Sequence, residues 1–358
     1  MAQFSVTRTT TPTSDAARKA ALADPGFGRY YVDHMAIVDY VAGDAWQDAR
    51  IIPMSEWALH PAAAVMHYGQ EIFEGLKAYR RDDDSIWLFR PERNAARFVH
   101  SAQRMGMPEL PEETFLNAVS ELVKLEKDWV PTSDNEQSLY IRPFMVATEP
   151  YLGVREANNY RFAVIATPAG AYYADPVKLW ITPNYARSAP GGTATAKCGG
   201  NYAASLVATQ EAAQHGCGQV LWTDGAEHKW VEECGTMNVM FVTDDGELVT
   251  PELGQILAGV TRESVLKLAS DHDLKPVERA ISIDEVHDGV DSGKIAEVFA
   301  CGTAAVVTPI VGFNSPARGE QQVGDGTPGV KTLEIRQHLV DIQYGRAEDK
   351  HGWTRRVA

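Results

Sequence analysis

Apolar residues in PEETFLNAVSELVKLEKDWVP recur at Phe115, Ala118, Leu122 and Leu125. This three-and-four spacing predicts a helix with one buried face. The run before it, Pro91 to Gly106, is also read as a helix, with proline at its start and glycine at its end. Period-two and β-branched runs surround this pair and predict strands. Arg29 to Val41 and a second run ending near Ile52 flank the Gly43-Asp44 turn, and Gly75 to Pro91 reads as strand, acidic turn at Asp82 to Asp84, strand. SLYIRPFMVAT and NNYRFAVIATP follow the helices. Alternation in SLYIRP puts Tyr140 and Arg142 on one face, a phenol beside a guanidinium, which is chemistry suited to a carboxylate and also the look of an ordinary surface ladder.

The second half repeats the theme. VLWTDGAEHKWVEE predicts a hairpin turning at Asp224-Gly225, and VMFVTDDGELVTP another at Asp245-Gly246. In LGQILAGVTRESVLKLASDH a glycine precedes a helix, so Gly259, Val260 and Thr261 would present backbone N–H groups where a phosphate binds well. Ile295 to Ile310 begins as a buried strand and bends at Gly302-Thr303. Gly324 to Thr332 resembles a phosphate loop, but Val330 stands between glycine and lysine, so it reads as a loop before the helix TLEIRQHLVDIQYG. The chain therefore divides into a loose, Thr-rich arm at 1–26, an α/β domain at 27–167, a Pro/Gly/Ala-rich hinge at 168–176 and a second domain at 177–358.

Length and composition change this picture little: 358 residues suffice for about two domains with real cores. A net charge of −15 argues against nucleic acid or an anionic membrane as partner. The four cysteines, Cys198, Cys217, Cys234 and Cys301, form no CxxC pair, so neither a disulfide framework nor a metal site is expected, and the natural setting is a reducing cytoplasm. The N-terminus lacks the apolar core of a secretion signal, and no run of eighteen apolar residues predicts a membrane span.

Candidate chemistry concentrates between Gly191 and Asn238. Lys197 is bracketed by Gly191, Gly192, Gly199 and Gly200, with Ala194 and Ala196 leaving room beside it, and no acid lies within ten residues on either side. A lysine kept from carboxylates and partly desolvated becomes a nucleophile able to form a Schiff base. A lysine on a Gly/Ala loop is, taken alone, more commonly a surface residue. The predicted hairpin, however, returns Glu233 towards it, with Glu232 alongside, and a buried carboxylate needs a cationic or hydrogen-bonding partner.

The runs KCGGNYAASL, QVLW and EECGTMN, together with HYGQEIFEGLKAYR, LFRPERNAARF, SLYIRP, GAYY, GVTRESVL and CGTAAVVTP in the same order, resemble the branched-chain amino acid aminotransferases of the fold type IV pyridoxal-phosphate enzymes, over roughly residues 27 to 345. The resemblance implies an α/β (α+β) fold of two domains, the smaller N-terminal and the larger with a β-barrel-like core. It implies pyridoxal 5′-phosphate as cofactor, held through Lys197, Arg97, Tyr202, Glu233, Val260, Thr261 and Thr303. Lys197 is then the catalytic amine, Glu233 partners the pyridine nitrogen, and Arg97 grips the phosphate, a role guanidinium geometry suits. Substrate would meet Phe27, Tyr68, Phe73, Tyr140, Arg142, Tyr172, Thr303 and Ala304. The implied substrates are the branched-chain amino acids, glutamate and their 2-oxo acids, and the implied assembly is a homodimer in which Tyr68 would serve the other subunit. Ala305 and Thr308 occupy the positions of a CxxC redox pair found in some members, so no such switch is predicted, and Cys198 reads as a small packing residue.

Overall fold

A computed structural model describes residues 3–170 and 175–358. Tyr172 therefore lies outside the described residues. The chain forms two compact units, one of Met1–Tyr172, Ala196–Gly199 and Asp341–Ala358, the other of Tyr173–Thr195 and Gly200–Val340. Two segments from the second half of the chain thus pack with the first, including the one that carries Lys197.

The first unit is built on a sheet of β1 (Ser5–Val6), β2 (His34–Val41), β3 (Gln47–Pro53), β4 (Glu71–Phe73), β5 (Leu76–Arg80), β6 (Ile86–Phe89), β7 (Ser138–Ala147) and β8 (Asn159–Ala169). The strand order is β1-β3-β2-β8-β7-β5-β6, with β4 also on β7, and the C-terminal strand Thr354–Arg356 closes the far edge on β6. The long β7–β8 pair is antiparallel from Ser138↔Ala169 to Ala147↔Tyr160. Its helices are α1 (Asp15–Ala23), α2 (Ala64–Tyr68), α3 (Pro91–Arg104) and α4 (Glu112–Leu125). α4 buries Phe115, Ala118 and Leu122 as its spacing predicted. Phe115 and Phe98 of α3 meet Phe162 of β8, at ring separations of 6.0 and 5.4 Å.

The stretch read as a loose arm carries β1, parallel to β3, and α1. Polar side chains explain why it docks: the Thr9 N–H donates to Nε2 of His34 at 2.9 Å, and the Thr13 hydroxyl to Asp33 at 2.6 Å. At the other end of the chain, the Tyr344 ring packs on Tyr79 at 5.1 Å and its hydroxyl donates to the Gln137 carbonyl at 2.7 Å.

The second unit holds β9 (Val177–Ile181), β10 (Gln219–Thr223), β11 (Val231–Cys234), β12 (Asn238–Thr243), β13 (Glu247–Thr250), β14 (Lys275–Glu278), β15 (Ile295–Gly302), β16 (Val306–Ser315) and β17 (Gly319–Gln322). Their order is β11-β10-β9-β16-β15-β12-β13-β14, with β17 on β16. Both predicted hairpins are present, β10–β11 around Asp224 and β12–β13 around Gly246, whose φ of +85° is the left-handed value glycine tolerates. Asp224 fixes the first turn by accepting four backbone N–H groups, from Ala226, Glu227, Lys229 and Trp230. Helices α5 (Gly199–Ala203), α6 (Leu206–Gln214), α7 (Val260–Leu268), α8 (Ile283–Ser292) and α9 (Val330–Tyr344) complete the chain. Among the described residues no helix is long and apolar enough to cross a membrane.

Candidate active site

In the first unit, one stripe of α3 supplies three polar side chains. Asn94, Arg97 and Ser101 recur at the spacing that places residues on one helix face, and all three are buried. Ala95, Phe98 and Ala102 turn to the core instead. Arg97 reaches Glu74, which is wholly buried, through Nε at 2.7 Å and Nη2 at 2.9 Å, one bond to each carboxylate oxygen. Asn94 Nδ2 adds a bond at 2.8 Å, and the Gly75 N–H another at 3.1 Å. Burial pushes the Glu74 carboxyl up, but Arg97, with help from Lys197 and Asn94, outweighs it and holds the pKa below its ordinary value.

Lys197 is half-buried and seated through its own backbone. Its N–H donates to Ser101 Oγ at 3.0 Å, and its carbonyl accepts from the Phe73 N–H at 2.9 Å. The ammonium lies 4.8 Å from the centre of the Phe73 ring. Two residues on, the Gly199 N–H donates to Glu71. The expectation that this lysine is kept from carboxylates is thereby corrected: distance along the chain did not carry over into space, because β4 and the residue after it bring Glu71 and Glu74 to the lysine segment.

The predicted phenol–guanidinium pair also forms. Arg142 Nη2 donates to the Tyr140 hydroxyl at 3.0 Å, and its guanidinium stacks over Phe73 at 4.7 Å. Phe27 packs edge-on against Tyr140 at 5.0 Å, and a Cβ on Gly75 would displace the Tyr140 hydroxyl. Phe27, Phe73, Tyr140, Arg142 and Lys197 are therefore one contact cluster, joined to Arg97 through Glu74. Tyr68, exposed in α2, makes its bond elsewhere, its hydroxyl donating to the Leu152 carbonyl.

The second unit holds the other predicted residues. Glu233 is buried on β11, with Arg187 Nη2 at 2.6 Å from Oε2, while Oε1 accepts from the Leu257 N–H at 2.9 Å and Asn238 Nδ2 at 3.3 Å. Its neighbour Glu232 is buried with Oε2 lacking a hydrogen-bond partner. Burial pushes the Glu232 carboxyl up to about 7, Arg187 opposing and Glu233 reinforcing. Val260 and Thr261 open α7 behind Gly259, where a Cβ would run into Asn238 Oδ1. Thr303 and Ala304 form the half-buried turn between β15 and β16. Just after that turn Val306 holds φ of +60°, an uncommon strain for a β-branched residue. Tyr202 is half-buried in α5, beside Asn201, whose amide is fixed by Thr193 at 2.8 and 2.9 Å.

Sequence reasoning missed Glu71, Glu74, Ser101 and Arg187. For Ser101 a signal existed, the polar stripe of α3; Glu71, Glu74 and Arg187 are distant in sequence from what they bind.

The family model for amino-transferase class IV matches residues 71–313, a span that contains every one of these contacts except those of Phe27 and Tyr68. The chain belongs to the class IV aminotransferases. A branched-chain-amino-acid aminotransferase of Mycolicibacterium smegmatis is 51% identical over 99% of this chain and 98% of its own length. Among solved structures, the branched-chain amino acid aminotransferase of Escherichia coli is 26% identical with a TM-score of 0.74, covering 90% of this chain and 100% of that one. The branched-chain aminotransferase from the thermophilic archaeon Thermoproteus uzoniensis, solved with norvaline, is 25% identical with a TM-score of 0.72, covering 90% and 100%. The mixed α/β fold implied by the motifs is thus the fold of this class IV chain.

Proposed function

We propose that this class IV aminotransferase is pyridoxal 5′-phosphate dependent and transfers the amino group reversibly between L-leucine, L-isoleucine or L-valine and 2-oxoglutarate, giving branched 2-oxo acids and L-glutamate. The observation that carries this reading is the full-length identity with the M. smegmatis relative of that name. The residues present fit the cofactor. A buried guanidinium, a buried hydrogen-bonded carboxylate, a lysine on a fixed backbone and a helix start whose glycine leaves no Cβ against Asn238 match a phosphate, a ring nitrogen and a carbonyl carbon in chemistry. When bound, the cofactor supplies the electron sink for the carbanion at the substrate Cα.

The chain's own residues do the rest. The Lys197 amine holds the cofactor and, once released, moves the proton on and off Cα. Glu233 keeps the proton on the ring nitrogen; its bonds from Leu257 and Asn238 favour the charged carboxylate that this needs. Arg97, the N–H groups of Val260 and Thr261, and Thr303 hold the phosphate, and the Tyr202 hydroxyl bonds the ring's phenolic oxygen. Tyr140 and Arg142 take a carboxylate, and Phe27 and Phe73 give the apolar wall that a branched side chain prefers; Thr303 and Ala304 serve the α-carboxylate.

The same reading extends to a homodimer in the cytoplasm. Met66, Tyr68, Leu152 and Val154 expose apolar surface on the first unit, which supports a partner subunit there, with Tyr68 at the boundary.

Mixing the cofactor-loaded protein with L-leucine should abolish its visible absorbance band, mixing with D-alanine should not, and Lys197→Ala should show no band to lose. A response to D-alanine alone would move the chain to a D-specific activity and overturn the proposal.

A further inference from the structure

Glu71 has no part in the chemistry above, yet its position is unusual. It is the first residue of β4, paired with Val146 of β7, and its side chain leaves the sheet to accept the N–H of Gly199. A Cβ on Gly199 would stand 2.6 Å from Glu71 Oε1 and would push the carboxylate off this N–H. Ser101 and the Phe73 N–H hold the two ends of the Lys197 peptide, and Glu71 holds the chain two residues further on. These attachments fix the segment Ala196–Gly199, and two of them come from β4.

We infer that Glu71 is a positioning residue for the reaction: by accepting the Gly199 N–H it locks the Lys197 segment onto β4 and so aims the amine. The inference rests on the reading of Lys197 as the reactive amine. A carboxylate suits the task better than a neutral acceptor, since a bond from an amide to a charged oxygen is about twice as strong as one between neutral groups. Burial outweighs its neighbours and leaves the Glu71 carboxyl above its ordinary pKa, while the Gly199 N–H and the charge of Arg142 work in the opposite direction.

The test uses Glu71→Ala, Glu71→Gln and Gly199→Ala in the full-length protein. Hydrogen exchange is first followed at the backbone amides of 197–199 without added cofactor. Glu71→Ala should speed exchange there about tenfold, the effect of losing one hydrogen bond. Gly199→Ala should do the same from the other side of the contact, and it stands in should Glu71→Ala fail to fold. Glu71→Gln, which keeps an acceptor oxygen, should restore most of the protection. In the loaded enzyme Glu71→Ala should lower kcat by about 10- to 100-fold with both leucine and glutamate, leave KM within about twofold, and be largely rescued by Glu71→Gln. Wild-type exchange at 197–199 in both alanine variants would overturn the inference, as would a Glu71→Gln protein no better than Glu71→Ala. If the wild type transfers no amino group, the proposed activity fails, while the exchange measurements still decide whether Glu71 holds the segment.

Discussion

Glu74→Ala is the perturbation with the largest predicted consequence. The carboxylate is wholly buried and accepts two hydrogen bonds from Arg97, one from Asn94 and one from Gly75. Removing one member of a buried ion pair leaves the other charge uncompensated, which costs about 3–5 kcal/mol. In a unit of this size each kcal/mol lowers the unfolding midpoint by about 2–4 °C, so the midpoint of the first unit should fall by about 6–20 °C. Thermal unfolding without cofactor, read by hydrogen exchange in first-unit peptides, measures it without assuming that both units melt together. Cofactor adds a second arm. At about 100 times its Kd it should raise wild-type stability by about 2.7 kcal/mol. The increment should be larger in Glu74→Ala, because the phosphate then supplies the counter-charge to Arg97 that Glu74 no longer provides. A midpoint within about 2 °C of wild type would refute the energetic reasoning, and an identical cofactor increment in the two proteins would refute the phosphate role of Arg97.

Glu232→Gln tests the carboxyl pushed up to about 7 from an ordinary value of 4.5. The folded protein retains a proton that the unfolded chain releases, so this group's contribution is fully present below about pH 4.5 and is lost as pH rises through about 7. Allowing for residual solvent screening, wild type should lose about 1–2 kcal/mol across that window relative to Glu232→Gln; parallel stability profiles would contradict the assignment. Gly75→Ala should displace the Tyr140 hydroxyl and with it the 3.0 Å bond from Arg142. Overpacking should cost about 1–3 kcal/mol, and KM for glutamate should rise about tenfold, so an unchanged KM would show that this pair does not touch substrate.

Much of the architecture was legible in local patterns. α4 shows its buried face in its spacing, α3 announces its start with Pro91, and both second-unit hairpins are written in Asp-Gly turns. The reactive candidates, Lys197 and Glu233, stood out because glycine brackets the one and a predicted strand carries the other. What local pattern could not supply was the partner of each charge. Arg97 looked like any helix arginine until Glu74, twenty-three residues earlier, lay across from it. Lys197 looked isolated from acids because the carboxylates at its segment arrive on and beside a strand more than a hundred residues upstream. Burial of a charge is decided by tertiary contacts, and the start of the chain makes the same point, since β1 forms only by pairing with β3.

α3 also acts as a gauge. Arg97 and Ser101 sit one turn apart, about 6 Å along the axis, so a single rigid rod sets the spacing between the Glu74 pair and the backbone seat of Lys197. The zero of that gauge is set at Arg90, whose left-handed φ of +48° starts the helix and whose N–H donates to the Trp353 carbonyl at 2.7 Å. One residue inserted between Arg97 and Ser101 would swing the serine by about 100° and leave the lysine peptide without its serine anchor. The C-terminal residues thus calibrate a distance in which none of their own atoms takes part.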